Sequence, residues 1–174
     1  MNLEQHILTE CYVDTLLVRT LVPPKERYNH QKSCNNVLKT MREKFTEKAV
    51  FGIIDADKKL SNFDDFSLLK THNEQLSIYK HKEKSHYIVK IGKAAEDFIL
   101  KNAKKYNIEL SKYNLPSDLE SLKKRTKQQN SLKNPDLEHL FSALKQVENS
   151  DFYKLAQWIE LFKENPYDFE KKVV

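Results

Sequence analysis

Glycine is nearly missing: Gly52 and Gly92 are the only two in 174 residues. A phosphate-cradling loop or a dinucleotide-binding turn needs backbone to approach phosphate closely at several positions, and glycine is what permits it. The shortage argues against an ATPase of the P-loop kind and against a Rossmann oxidoreductase. Cysteine is equally scarce. Cys11 and Cys34 form neither a spaced metal motif nor a disulfide framework. Both fall on apolar faces, as small buried side chains of a reduced compartment do. The six histidines, His6, His30, His72, His81, His86 and His139, contain no HxH, HxxxH or HExxH pair, which leaves zinc poorly supported. No apolar run approaches the roughly 18 residues of a membrane span, and no basic segment leads into a long apolar core near the N-terminus. The expectation is a soluble, cytoplasmic protein with no membrane partner.

What the chain does contain is ordinary core material and abundant charge. Hydrophobic residues make up 39% and aromatics 10%, enough for a real core in a chain of this length. Thirty Lys and Arg against 25 Asp and Glu leave a formal net charge of +5. That excess inclines the surface toward polyanions, though modestly.

Up to about residue 112 the pattern alternates between strand and helix. A short strand is predicted over 4–9. Val13, Leu16, Leu17, Thr20 and Leu21 then recur at helical spacing until Pro23 and Pro24. A polar connection over 25–32 leads to a second helix, marked by Cys34, Val37, Leu38, Met41 and Phe45. "AVFGIID" (49–55) is a continuous apolar run, as in a strand buried on both faces. Two more strands are predicted over 75–81 and 85–91 around a polar "KEK" turn, and a helix over 94–106. This β-α-β order predicts an α/β unit, residues 1–112, with a mostly parallel, Rossmann-like sheet flanked by helices. Residues 113–174 read as an all-helical extension. "SDLE" predicts a capping box with Ser117 as cap and Glu120 reaching back, and Pro135 opens a further helix. The last helix carries Phe152, Leu155, Ala156, Ile159 and Phe162 on one face. Trp158 stands beside that face and predicts a partner-binding surface.

Carboxylates gather at the ends of the predicted strands. Asp55 and Asp57 close the buried run, and in a strand-like conformation residues two apart face the same way. In open α/β sheets ligands bind beyond the carboxyl ends of the strands. Glu10 ends the first predicted strand, and Asp14 lies one helical turn beyond it. Two readings stay open for these acids. They cap turns and helix starts, where the macrodipole favours them, or they share a hard divalent cation such as Mg²⁺. Glu96, in the first turn of the third helix, carries the same two readings.

"ILTECYVD" followed by "FGIIDADKK" resembles the TOPRIM domain of topoisomerases, bacterial primases and OLD-family nucleases. Glu10 matches the motif's glutamate, Asp14 the acid four residues later, and Asp55 with Asp57 the DxD pair. Cys11 stands where the pattern has glycine. The resemblance spans roughly residues 4 to 105 and leaves the helical extension unmatched. It implies metal-dependent phosphodiester chemistry with Mg²⁺ (or Mn²⁺) held by Glu10, Asp14, Asp55 and Asp57. Glu96 would complete the set as the further acid of OLD-like nucleases, and Glu10 would act as general acid–base. The chain is too small to be a topoisomerase or primase alone. The implied function is a compact nuclease acting on DNA or RNA, an effector in bacterial antiviral defence or repair.

Candidate nucleic-acid contacts are Lys93 and the densest basic run, Lys123, Lys124, Arg125 and Lys127; a solvated face is the competing reading. His30, within "YNHQK", is a candidate substrate contact from a loop over the active edge. A non-catalytic TOPRIM-like adaptor is the alternative, its helical tail binding a partner such as an ATPase or nucleic acid, and the pattern leaves room for an oligomer. A haloacid-type enzyme with Asp55 as nucleophile lacks the downstream Ser or Thr and the usual order of acids.

Overall fold

The computed structural model describes residues 2–24, 26–57, 59–127 and 129–173. A short 3₁₀ turn (Leu3–His6) takes the first half of the strand expected over 4–9, leaving β1 as Ile7–Thr9. There follow α1 (Tyr12–Leu21), β2 (Asn29–His30), α2 (Cys34–Lys44) and β3 (Val50–Asp55). Then come β4 (Phe66–Asn73), β5 (Leu76–His81), β6 (His86–Ile91) and α3 (Ala95–Lys105). The chain ends in α4 (Leu119–Thr126), α5 (Pro135–Gln146), α6 (Asp151–Glu164) and α7 (Phe169–Val173). No helix among the described residues is long and apolar enough to cross a membrane.

The fold is α/β with one six-stranded, mostly parallel sheet of Rossmann-like kind, in the order β2-β1-β3-β6-β5-β4. β2, β1, β3 and β6 run parallel, and β5 pairs antiparallel with both β6 and β4. β1 goes to β2 on one side, and the chain then crosses back to β3 on the other. Right-handed crossovers place α1 and α2 on opposite faces when the direction reverses in this way. The packing agrees. Leu8, Val50, Ile54 and Ile88 meet α2 through Val37, Leu38 and Met41, whereas Ile7, Phe51 and Ile53 meet α1 through Val13 and Leu17. Strand alternation thus feeds two cores from β3 alone, which is why its run is apolar throughout.

The helical extension lies over the α1 face. Leu137, Phe141, Phe152, Ile159 and Phe162 are fully buried in the same core as Phe51 and Ile53. Two expectations fail here. Asp118, not Ser117, caps α4: its carboxylate accepts the Ser121 N–H at 2.9 Å, while Glu120 pairs with Lys123. A short acid with a free oxygen serves as well as serine at this position. Trp158 is no exposed anchor, being only 3% accessible. It lies next to the stripe of Leu155 and Phe162 on α6, a helix that packs against β4 and α7 as well as α5, so its buried arc is wider than one row.

β4 and β2 carried no strand signal. β4 is an edge strand with Ser67, Leu68 and Lys70 exposed and register shifts against β5, so it lacks both an apolar run and clean alternation. Residues 29–30, expected in a loop, form a two-residue parallel pairing with Leu8 and Thr9.

Candidate functional site: a carboxylate cluster at the sheet's switch point

The reversal of strand order falls between β1 and β3, and Glu10 stands at that point. Its N–H donates to Ile53 O at 3.2 Å, and its Oε2 accepts the Asp55 N–H at 3.0 Å, so the carboxylate bridges the ends of both strands. Glu10 is buried. Cys11 follows as the N-cap of α1 with φ −133° and ψ 175°, extended backbone that any residue adopts. Glycine is therefore not demanded where the sequence has Cys11.

Asp14 turns back to close a capping box. Its Oδ2 accepts the Cys11 N–H at 3.2 Å and the Cys11 thiol at 3.0 Å, while Oδ1 is buried with no hydrogen-bond partner. Asp14 is fully buried. Burial pushes its carboxyl up to about 7; the bonds from Cys11 act the other way, and the charges of Glu10 and Glu96 push it further up. The Cys11 thiol is also pushed up, by burial and then by the Asp14 charge. It is held as a protonated donor, not as a nucleophilic thiolate.

Asp55 ends β3 half-buried, but the strand stops there and Asp57 is exposed in the following turn. The two-residue alternation that was to aim both carboxylates together therefore does not extend to Asp57. The Ala56 N–H, bonded to Ile91 O at 3.3 Å and Gly92 O at 3.0 Å, ties this turn over the end of β6. Gly92 has φ +41°, and a Cβ there would meet Phe98 Cβ at 3.0 Å and Ala94 O at 3.1 Å. Glycine alone suits this tight passage from β6 into α3, and the passage sets Glu96 in the first turn of α3 on the same edge. Glu96 is buried and accepts the Thr126 hydroxyl from α4.

The basic candidates divide. Lys93 is exposed at the start of α3, its N–H 3.4 Å from an Asp97 carboxylate oxygen. Lys123 pairs with Glu120 at 3.7 Å and Arg125 with Asp136 at 3.3 Å, whereas Lys124 and Lys127 are exposed along α4. His30 ends β2 on the acid edge with its ring 4.4 Å from that of Tyr12, and burial holds it below the usual histidine range. Thr126, the buried partner of Glu96, is a residue that sequence reasoning passed over. It continues the spacing of Leu119 and Leu122 and so belongs to the buried face of α4, a signal masked by the lysines around it.

In kind, the donors suit a hard divalent cation: carboxylate oxygens from three elements, one of them buried without a partner. In arrangement, among the described residues no three His, Cys, Asp or Glu side chains stand together in a metal-holding set. One open groove of about 380 Å³, lined by Lys70, Lys154 and Trp158, sits between β4 and α6, away from these acids. Carboxylate crowding, not cavity size, singles out the switch-point edge. No known protein family, curated protein or solved structure matches this chain.

Proposed function

We propose that this chain is a divalent-metal-dependent nuclease of TOPRIM type, hydrolysing phosphodiester bonds in DNA or RNA. The observation that carries the reading is that Glu10, Asp14 and Glu96 lie at the switch-point edge, where burial first, and then the charges of Glu10 and Glu96, push the Asp14 carboxyl up to about 7. Like charges so placed lower stability unless a cation or a proton offsets them. Glu10, Asp14, Asp55, Asp57 and Glu96 would hold Mg²⁺ (or Mn²⁺) between them. Such an ion supplies charge neutralisation at phosphate and a more acidic attacking water. Glu10, at the centre of the edge, is the residue to hold and release the proton. Lys93, Lys124 and Lys127, with Lys123 and Arg125 beside them, offer cations to the nucleic-acid backbone. A role as an effector of antiviral defence or repair follows from the TOPRIM resemblance.

A second reading has its own observation. Glu10 is bonded to the Asp55 N–H, Asp14 caps α1, and Glu96 holds Thr126, so each acid already serves the fold. A TOPRIM-like adaptor, binding a partner ATPase or nucleic acid through its helical tail, needs no more than that.

The experiment offers single- and double-stranded DNA and RNA to the full-length protein with Mn²⁺, Mg²⁺ or chelator, beside an Asp55→Asn/Asp57→Asn variant. The nuclease reading expects ion-dependent cleavage lost in the variant, and thermal stabilisation of the wild type by Mn²⁺. Wild-type cleavage by the folded double variant would sink it. No cleavage and no thermal response to either ion would leave the adaptor.

A further inference from the structure

The basic run at 123–127 was read from the sequence as a surface feature, yet its one threonine is only 3% exposed and faces inward. The Thr126 hydroxyl donates to Glu96 Oε1, with Lys123 O a further acceptor 3.2 Å away. Glu96 belongs to the first turn of α3, and its charge reaches Asp14. The bond therefore joins a helix of the extension, the part unmatched by any resemblance, to the carboxylate cluster. It also fixes α4 at its C-terminal end, where Lys124 and Lys127 flank Thr126 and remain exposed. A buried carboxylate that accepts a hydroxyl at one oxygen is held in one orientation, with the other oxygen aimed elsewhere.

We propose that Thr126 is a positioning residue of the acid site: it orients the Glu96 carboxylate and, through the same bond, seats the basic face of α4 beside the site. The inference rests on the metal-dependent reading above. The helical extension is then part of the active edge, contributing one hydrogen bond inward and cations outward. Without the hydroxyl, Glu96 is free to rotate and α4 loses its polar anchor, while the apolar contact of Leu122 remains.

Full-length wild type, Thr126→Val and Thr126→Ser are compared with Mn²⁺ alone as the probe, its binding read from loss of the free-ion paramagnetic signal. Thr126→Val should weaken Mn²⁺ binding by about tenfold or more and Thr126→Ser by less than about twofold, the scale of losing or keeping an outer hydrogen bond to a ligand. In a Glu96→Gln background the valine substitution should have no further effect on Mn²⁺ binding, because Thr126 acts through Glu96. Equal Mn²⁺ affinity in wild type and Thr126→Val overturns the proposal and leaves the metal reading standing. A full valine effect in the Glu96→Gln background overturns it too. Silence of wild type and Thr126→Ser alike overturns both together. Thr126→Ala takes the place of the valine variant if circular dichroism shows the latter unfolded.

Discussion

Asp14→Asn replaces a fully buried carboxyl with a neutral group of the same shape, and its effect should depend strongly on pH. The Asp14 carboxyl is held at about 7 in the fold against an ordinary 3.8. Between those values the folded chain keeps a proton that the unfolded chain has released, so stability falls as pH rises. At about 1.36 kcal/mol per unit the whole difference is about 4 kcal/mol, of which about 3 falls between pH 5 and pH 8. His30, His81 and His86 are each held below the ordinary histidine value, mainly by burial, and so push the other way, stabilising as pH rises. The comparison of variant with wild type cancels them. Urea unfolding at several pH values should give two curves that meet below about pH 4, within the roughly 1 kcal/mol of an altered hydrogen bond. They should stand about 1–2 kcal/mol apart at pH 5 and about 4 kcal/mol apart at pH 8, with the variant the more stable. Mn²⁺ at pH 8 should then narrow the gap by stabilising the wild type, since a ligand that binds only the folded state adds to its stability. Parallel curves over this range would refute the crowding on which the functional reading depends.

Two further expectations concern the scaffold. Gly52→Ala builds a Cβ 2.7 Å from Ile88 Cδ1 and 2.8 Å from Val37 Cγ1. Overpacking of about 1–3 kcal/mol outweighs the roughly 0.5–1 kcal/mol gained by removing glycine from a strand, so urea midpoints should show a net loss of about 1–2 kcal/mol; unchanged stability would mean that α2 yields freely. Asp151, buried at the start of α6, accepts from the Asn73 side chain and from Asn102 Nδ2 at 2.9 Å. Asp151→Ala leaves both amides without that acceptor and should cost about 2–4 kcal/mol in chemical unfolding. A loss below about 1 kcal/mol would show that water replaces the carboxylate.

Much of the parallel half was legible because its signals are local. The apolar run of β3 and the helical spacing of α1, α2 and α3 each need only a dozen neighbours to read. Placing Glu10 and Asp55 on one edge followed from strand direction alone. What escaped depends on distant partners. β4 is held as a strand by β5, and the register shifts against β5 break the alternation that would have marked it. β3 ends two residues before Asp57, where the Ala56 N–H is tied to Ile91 and Gly92, so strand alternation does not set the direction of its side chain. Trp158 is buried on a helix that packs against elements on either side of it in the chain, β4 and α7, and Thr126 meets Glu96 thirty residues upstream. Neither contact leaves a mark on its own stretch of sequence.

The burial of α1 has a consequence for how the molecule is made. α1 packs on the sheet with one side and against α5 and α6 with the other; Lys145 Nζ donates to Leu21 O at 2.5 Å, and Lys163 pairs with Glu4 at 2.8 Å. A chain emerging from the ribosome at about 5–20 residues per second completes its sheet several seconds before Phe162 exists. During that interval the side of α1 that meets α5 and α6 lacks its cover, and Phe51 lacks Phe162 and Phe169. The side of α1 that α5 and α6 cover is thus among the last surfaces of the molecule to gain its partners.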